Sequence, residues 1–162
     1  MPFSTAATDE RFLTDAPKRY EQTFAIPRPA AQVWEDLTAD APLSWCRALG
    51  PKGVTWTSPR PFGVGTTRQA RVLKGLLVVQ ERYFAWDEGH RQAFAATAVN
   101  LPLVRRLAEE HVIEPDGPDA CTLRWLIAVQ PTAAGRPGGP LNAAIFRSFF
   151  KDTARHYGAS TS

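Results

Sequence analysis

The chain has 162 residues, the usual size of one domain, and with 44% hydrophobic residues it should bury roughly 70% of its unfolded surface. Its formal charge of +3 comes from 19 basic and 16 acidic residues spread along the chain, which argues against a nucleic-acid partner. The two cysteines indicate free thiols, and the acidic N-terminal stretch does not fit a signal peptide, so we expect a cytoplasmic protein without membrane insertion.

The first part of the chain is predicted to contain an arm, a strand and two short helices. Residues 1–17 have weak periodicity, which favours an arm or a short surface helix, and residues 19–26 alternate as an edge strand. Helical spacing follows Pro29 at Ala30, Val33, Trp34 and Leu37. The same spacing predicts a second helix over 42–49, with Asp40 as its N-cap and a stripe of Leu43, Cys46 and Leu49.

A hairpin over residues 66–86 is the centre of the predicted sheet. A turn at Lys74-Gly75 sets Val72 opposite Leu77 and Arg68 opposite Glu81. If the face that also carries Ala70, Val79 and Tyr83 is covered, Arg68 and Glu81 form an ion pair inside the protein. The alternative is a one-residue slip that turns both charges towards water.

The second half is predicted to add strands over 53–58, 90–99, 109–114 and 121–132, and a long helix over 141–157. With Ile113 on the core side, Glu109 and His111 also lie there, and pairing Ile113 with Leu123 sets His111 opposite Trp125. Residues 100–107 form a link, and residues 159–162 are expected to be a frayed tail. The order indicates an α+β domain over 18–158.

The motifs IPRPAAQVWEDLTAD, LSWCRAL, PFGVGTTRQARV, VVQERYFAWDEGHRQAF and IEPDGPDACTLRW, followed by an aromatic terminal helix, resemble in their order the SRPBCC superfamily. That superfamily includes START lipid-transfer domains, pollen-allergen-like proteins, and polyketide cyclases and dehydratases. The resemblance covers roughly residues 18–157.

The resemblance implies the helix-grip fold, a curved antiparallel sheet of about six to seven strands round a long C-terminal helix, with two short helices after the first strand. It also implies a cavity for a hydrophobic ligand between sheet and helix. The wall and rim residues that it implies are Leu43, Trp45, Leu101, Leu103, Ile145 and Phe149.

The sequence itself indicates which polar side chains such a cavity would contain. Arg68 and Glu81 would orient a carbonyl or hydroxyl group, while His111 is either a general acid or base or a hydrogen-bonded structural residue. Tyr83, Phe94 and Trp125 either fill the interior or line the cavity. The spacing of histidines and cysteines predicts no metal site, and no cofactor motif is present.

Three functions remain open from the sequence. The favoured one is the binding of a small hydrophobic molecule of lipid, polyketide or aromatic type. The first alternative is an enzyme of the cyclase or dehydratase type, without metal, that uses His111 or Glu81 for proton transfer. The second is an interaction or stress-response module with a packed core. A monomer or a homodimer is compatible with each.

Overall fold

The structure is a computed structural model that describes residues 2–162. Its elements are β1 (Phe3–Ser4), α1 (Glu10–Asp15), β2 (Lys18–Ile26), α2 (Ala30–Leu37), β3 (Val54–Trp56), β4 (Thr67–Val72), β5 (Leu77–Asp87), β6 (Arg91–Val99), β7 (Val104–Pro115), β8 (Cys121–Pro131), α3 (Gly139–Tyr157) and β9 (Ser160–Thr161). Among these residues, no helix is both long and apolar enough to cross a bilayer.

One curved antiparallel sheet contains all the strands. Its order is β3-β4-β5-β6-β7-β8-β2-β9, with β1 paired to β6 outside this path. Register shifts between β5 and β6 and between β7 and β8 mark bulges, which bend strands and increase twist. The long helix α3 packs against the concave face, where Phe149 and Phe150 contact Trp125. The predicted helix-grip fold is confirmed.

The central hairpin has the predicted register. Arg68 pairs with Glu81, Ala70 with Val79 and Val72 with Leu77. All of these except Leu77 are buried on the concave side, because the alternating apolar positions specify which face meets the core. The hairpin therefore places a guanidinium and a carboxyl group in the interior.

A second, smaller core lies on the convex face of the sheet. Phe12 and Leu13 of α1 pack there against small residues of β6, β7 and β8, namely Ala93, Ala95, Ala108 and Ala128, together with Leu126. The light side chains of β6 thus make room for the N-terminal arm on the outside of the sheet. Arg91 of β6 holds the arm against the sheet, because it forms salt bridges with Glu10 of α1 and with Glu110 of β7.

The structure corrects three sequence-based expectations about local structure. Residues 42–49 form consecutive turns instead of a helix, since Leu43 has a φ of 57° that a right-handed helix excludes, and Asp40 pairs with Arg60 instead of capping. The stripe Leu43, Cys46 and Leu49 is nevertheless buried.

The other two differences concern lengths. The strand β7 begins at Val104, so most of the expected link 100–107 belongs to the sheet. Residues 160–161, expected to fray, pair with Phe24 and Ala25 of β2. The two-residue strands β1 and β9 raise the strand count to nine, and elements this short leave no alternation in a sequence.

Candidate functional site

A cavity lies between the concave face of the sheet and the first half of α3. Its apolar wall consists of Leu43, Leu49, Val54, Ala70, Val72, Leu77, Val79, Val104, Leu107, Trp125, Ile145, Phe146 and Phe149. The polar residues that line it are Arg68, Glu81, Glu109 and Asn142. The cavity volume is only about 60 Å³, and a figure of about 700 Å³ is reached only when all space between the atoms and the open solvent at the mouth are included.

Arg68 and Glu81 form a buried ion pair in this wall. The Arg68 Nε donates to Glu81 Oε2 over 2.6 Å, and the two side chains are only 2% and 4% exposed. The guanidinium also lies over the ring of Phe94, 4.0 Å from its centroid. Burial raises the pKa of Glu81, and the adjacent guanidinium opposes that rise. The inward orientation predicted for this pair is confirmed.

Glu109 is a second buried carboxyl group in the same wall. Trp125 Nε1 donates to Glu109 Oε2 over 2.9 Å, and no described residue pairs with the other carboxyl oxygen. Burial, followed by repulsion from Glu81, raises the pKa of Glu109 to about 8, although Arg68 and the Trp125 bond oppose the rise. Glu109 is therefore mostly protonated at neutral pH.

Glu109 is the ionisable wall residue that sequence reasoning did not assign to the site. The alternation of β7 correctly placed it on the core side with His111 and Ile113. The register across the sheet, in which Glu109 pairs with Phe94 and Phe94 with Tyr83, is what brings it near the ion pair. The sequence did contain a signal for this site residue, namely a glutamate at an inward-facing position. Burial of an unpaired carboxyl group is costly, so such a residue usually has a specific role.

His111, Tyr83 and Phe94 are buried but lie outside the cavity wall. His111 Nδ1 is 3.2 Å from Gln92 Nε2, and its Nε2 has no partner among residues 2–162. Burial and the charge of Arg68 lower the pKa of His111 to about 3, so it is neutral. The Tyr83 hydroxyl is also unpaired within the described chain, and burial raises its pKa. These residues form a polar and aromatic layer next to the wall.

Six predicted site residues line the cavity, namely Leu43, Arg68, Glu81, Trp125, Ile145 and Phe149. Besides His111, Tyr83 and Phe94, three more do not reach the wall. Trp45 instead stacks on His156, with ring centroids 4.2 Å apart, and donates to the Thr153 hydroxyl. Leu101 and Leu103 are half-buried in the loop between β6 and β7, and Val104 takes the wall position because β7 starts there.

The turns at 42–49 are held to the second half of α3 by a set of contacts that we call the clamp. It comprises the Trp45 bond to Thr153, the backbone and side-chain bonds of Arg47 to Asp152, and the contact of Cys46 with the Phe149 carbonyl. Burial raises the pKa of the Cys46 thiol to about 12. The clamp thereby fixes Leu43 and Leu49 as one side of the cavity.

Comparison with known proteins gives relatives along nearly the whole chain. The family model described as polyketide cyclase / dehydrase and lipid transport matches residues 17–157. An uncharacterized protein of Mycobacterium tuberculosis is 32% identical over 150 residues, which cover 90% of this chain and 87% of that protein. A protein with the same description from Mycobacterium bovis has the same identity and coverage.

Solved structures share the architecture at low sequence identity. A START superfamily protein from Mycobacterium smegmatis superposes with a TM-score of 0.64 at 12% identity, covering 86% of this chain and 97% of that one. The di-domain ARO/CYC protein BexL of the BE-7585A biosynthetic pathway gives a TM-score of 0.62 at 17% identity, covering 87% of this chain and 45% of BexL. These similarities establish the fold.

Proposed function

Since the chain belongs to the polyketide cyclase/dehydrase and lipid transport family, as the sequence resemblance predicted, we propose that it binds a small hydrophobic molecule between its sheet and α3. The observation that carries the proposal is the composition of the cavity wall. Thirteen apolar side chains surround four polar ones, a pattern typical of small-molecule sites. A ligand of lipid, polyketide or aromatic type fits this chemistry.

The buried polar groups support a ligand more than a packed interaction module. A core that only stabilises the fold gains nothing from an ion pair and a second carboxyl group, because such groups lose their hydration on burial. Here all three ionisable side chains border free space. They can therefore contact the polar end of a ligand whose remainder lies against the apolar wall.

An enzyme of the cyclase or dehydratase type is the second candidate, and one observation favours it. A neutral carboxyl group in an apolar site next to a charged one is a common arrangement for general acid catalysis. In this structure Glu109 and Glu81 form such a pair, whereas His111 is neutral, buried and away from the wall. We therefore place the proton-transfer role of this alternative on the carboxyl groups.

Binding of the neutral dye N-phenyl-1-naphthylamine tests the first proposal. We expect fluorescence enhancement with wild-type protein and an affinity about tenfold lower in Ala70→Leu, whose added atoms fill the cavity. Ala31→Leu, on the exposed side of α2, is the matched control and should bind like wild type. Dye binding that is equal in all three proteins would contradict a ligand site at this cavity.

Turnover experiments separate carrier from enzyme. If Glu81→Gln and Glu109→Gln bind the dye normally but no longer convert a ketone substrate that wild type converts, the enzyme candidate is supported. If they change binding alone, a carrier role is supported. A cytoplasmic location, suggested by the two free thiols, stays a prediction.

A further inference from the structure

We propose that the ligand of this cavity presents a neutral hydrogen-bond acceptor, such as a ketone or ester carbonyl oxygen, to Glu109 and Arg68. The inference rests on the proposed function, because it specifies the chemical class that the same cavity selects. It follows from the balance of charge and the balance of hydrogen-bond donors in the wall.

The charge in the cavity is balanced before any ligand binds. Arg68 contributes one positive charge, and Glu81, which is bonded to it, contributes one negative charge. Glu109 has no cation of its own, and it lies against Trp125 instead. A carboxyl group in that position avoids the cost of an unpaired buried charge by keeping its proton. A ligand without charge preserves this balance.

The wall, in contrast, has a surplus of donors that lack a partner among the described residues. The structure shows one hydrogen bond from the Arg68 guanidinium to residues 2–162, through Nε, and a guanidinium has five N–H donors. A protonated Glu109 adds an O–H group on a side chain whose second oxygen is unpaired in the described chain. A carbonyl oxygen, which has two lone pairs and no donor, fits this surplus.

The ionisable groups near Glu109 on neighbouring elements are consistent with a protonated Glu109. Arg68 on β4 and Glu81 on β5 act on its pKa in opposite directions, and Tyr83 and Cys46 have pKa values that burial raises, so both are neutral. His111 on β7 itself is neutral. From α3, the polar residue in the wall is Asn142, which does not titrate.

Charged ligands fit less well for opposite reasons. A carboxylate would add a second negative charge beside Glu81, and only Arg68 would compensate for it. An ammonium group would require Glu109 to ionise and would face the guanidinium. In either case a charge is buried at a cost of several kcal/mol unless its partner is well placed.

Four naphthalene probes test the class of head group. Naphthalene, acetylnaphthalene, naphthoate and naphthylmethylamine have the same apolar body and differ in the group at one position. At about neutral pH we expect acetylnaphthalene to bind about tenfold more tightly than each of the others, which corresponds to one net hydrogen bond. The bound ketone should also show a lowered C=O stretching frequency.

The pH dependence identifies the donor. Above the Glu109 pKa of about 8 the O–H is lost, so ketone affinity should fall with rising pH by about tenfold in all, to the level of naphthalene. Glu109→Gln keeps an N–H donor but does not titrate, so its ketone affinity should be independent of pH. Glu114→Gln, an exposed position on the same strand, is the control and should keep the wild-type profile. Thermal melts confirm that each variant is folded.

Each result has a distinct meaning. Equal affinity for all four probes, or tighter binding of naphthoate or the amine, would overturn this inference and leave the hydrophobic site standing. The same holds if ketone binding does not change with pH in wild type. Failure of every probe and of the neutral dye would overturn the proposed function, and this inference with it.

Discussion

Replacing Arg68 with methionine tests the buried ion pair directly. The substitution keeps an apolar chain of similar length but removes the guanidinium, so Glu81 is left without its partner in the interior. We expect folding to remain possible, with a lower free energy of unfolding at neutral pH. The loss should come from the cost of keeping a proton on the buried Glu81 as well as from the missing contacts.

The magnitude follows from the geometry. Two unit charges about 4 Å apart attract by about 4 kcal/mol at an effective dielectric constant of about 20. Removal of one partner of a buried pair typically costs about 3–5 kcal/mol. Loss of the guanidinium above Phe94 adds about 1 kcal/mol or more. We therefore expect Arg68→Met to lower the free energy of unfolding by about 5 kcal/mol.

Urea unfolding of five proteins measures this difference. Arg68→Met is compared with wild type, with Glu81→Met, with Arg68→Met/Glu81→Met, and with Arg60→Met, whose exposed pair with Asp40 should cost less than about 1 kcal/mol. The double variant should regain most of the loss, because no charge is left unpaired. In Arg68→Met alone, Glu81 keeps a proton when folded, so its deficit should shrink as the pH falls towards about 5.

Two results would refute this reasoning. One is an Arg68→Met protein whose free energy of unfolding lies within about 1 kcal/mol of wild type, as for an exposed pair. The other is a double variant as unstable as the sum of its single substitutions, since that would mean that the two side chains do not interact across the hairpin.

Three further predictions concern other parts of the molecule. Because folded Glu109 holds a proton that the unfolded chain releases above its ordinary pKa of 4.5, the free energy of unfolding of wild type should fall relative to that of Glu109→Gln between about pH 4.5 and 8; the opposite slope that His111 adds below about pH 6.5 is common to both proteins and cancels, and parallel urea-unfolding profiles would contradict the prediction. Phe12→Ala should lower the free energy of unfolding by about 3 kcal/mol without changing dye affinity, because the sheet separates α1 from the cavity; weaker dye binding would refute that separation. Cys46 and Cys121, both buried with raised pKa values, should react with a thiol reagent only in urea, and rapid labelling of the native protein would contradict their burial.

The sequence predicted the features that depend on alternation within a strand. Arg68, Glu81 and His111 were placed inward because each occurs in phase with apolar neighbours, and a one-residue slip would have exposed those neighbours. Pairing two adjacent strands predicted that His111 lies opposite Trp125, and the observed register confirms this. Local pattern and short-range pairing were sufficient for these positions.

The features that depend on contacts between distant segments were not predictable. Residues 42–49 have a stripe with helical spacing but form turns. Hydrogen bonds from Trp45 and Arg47 to α3 hold these turns in place of the bonds within a helix. Glu109 keeps its proton because it is buried and because Glu81, two strands away in the sheet, lies in the same wall. Such proximity arises from the curvature of the sheet, which the alternation of a single strand does not encode.

The clamp also determines how this protein would adapt to molecules of different sizes. The side-chain hydrogen bonds that join α3 to other described segments involve the Phe149 carbonyl, Asp152, Thr153 and Tyr157, all in its second half. In its first turns, Ile145 and Phe146 pack against the hydrophobic core, and Asn142 lines the cavity. A larger ligand should therefore tilt the N-terminal part of α3 outward while its C-terminal part stays fixed. The cavity would then lengthen at one end, and the Arg68–Glu81 pair would keep its geometry.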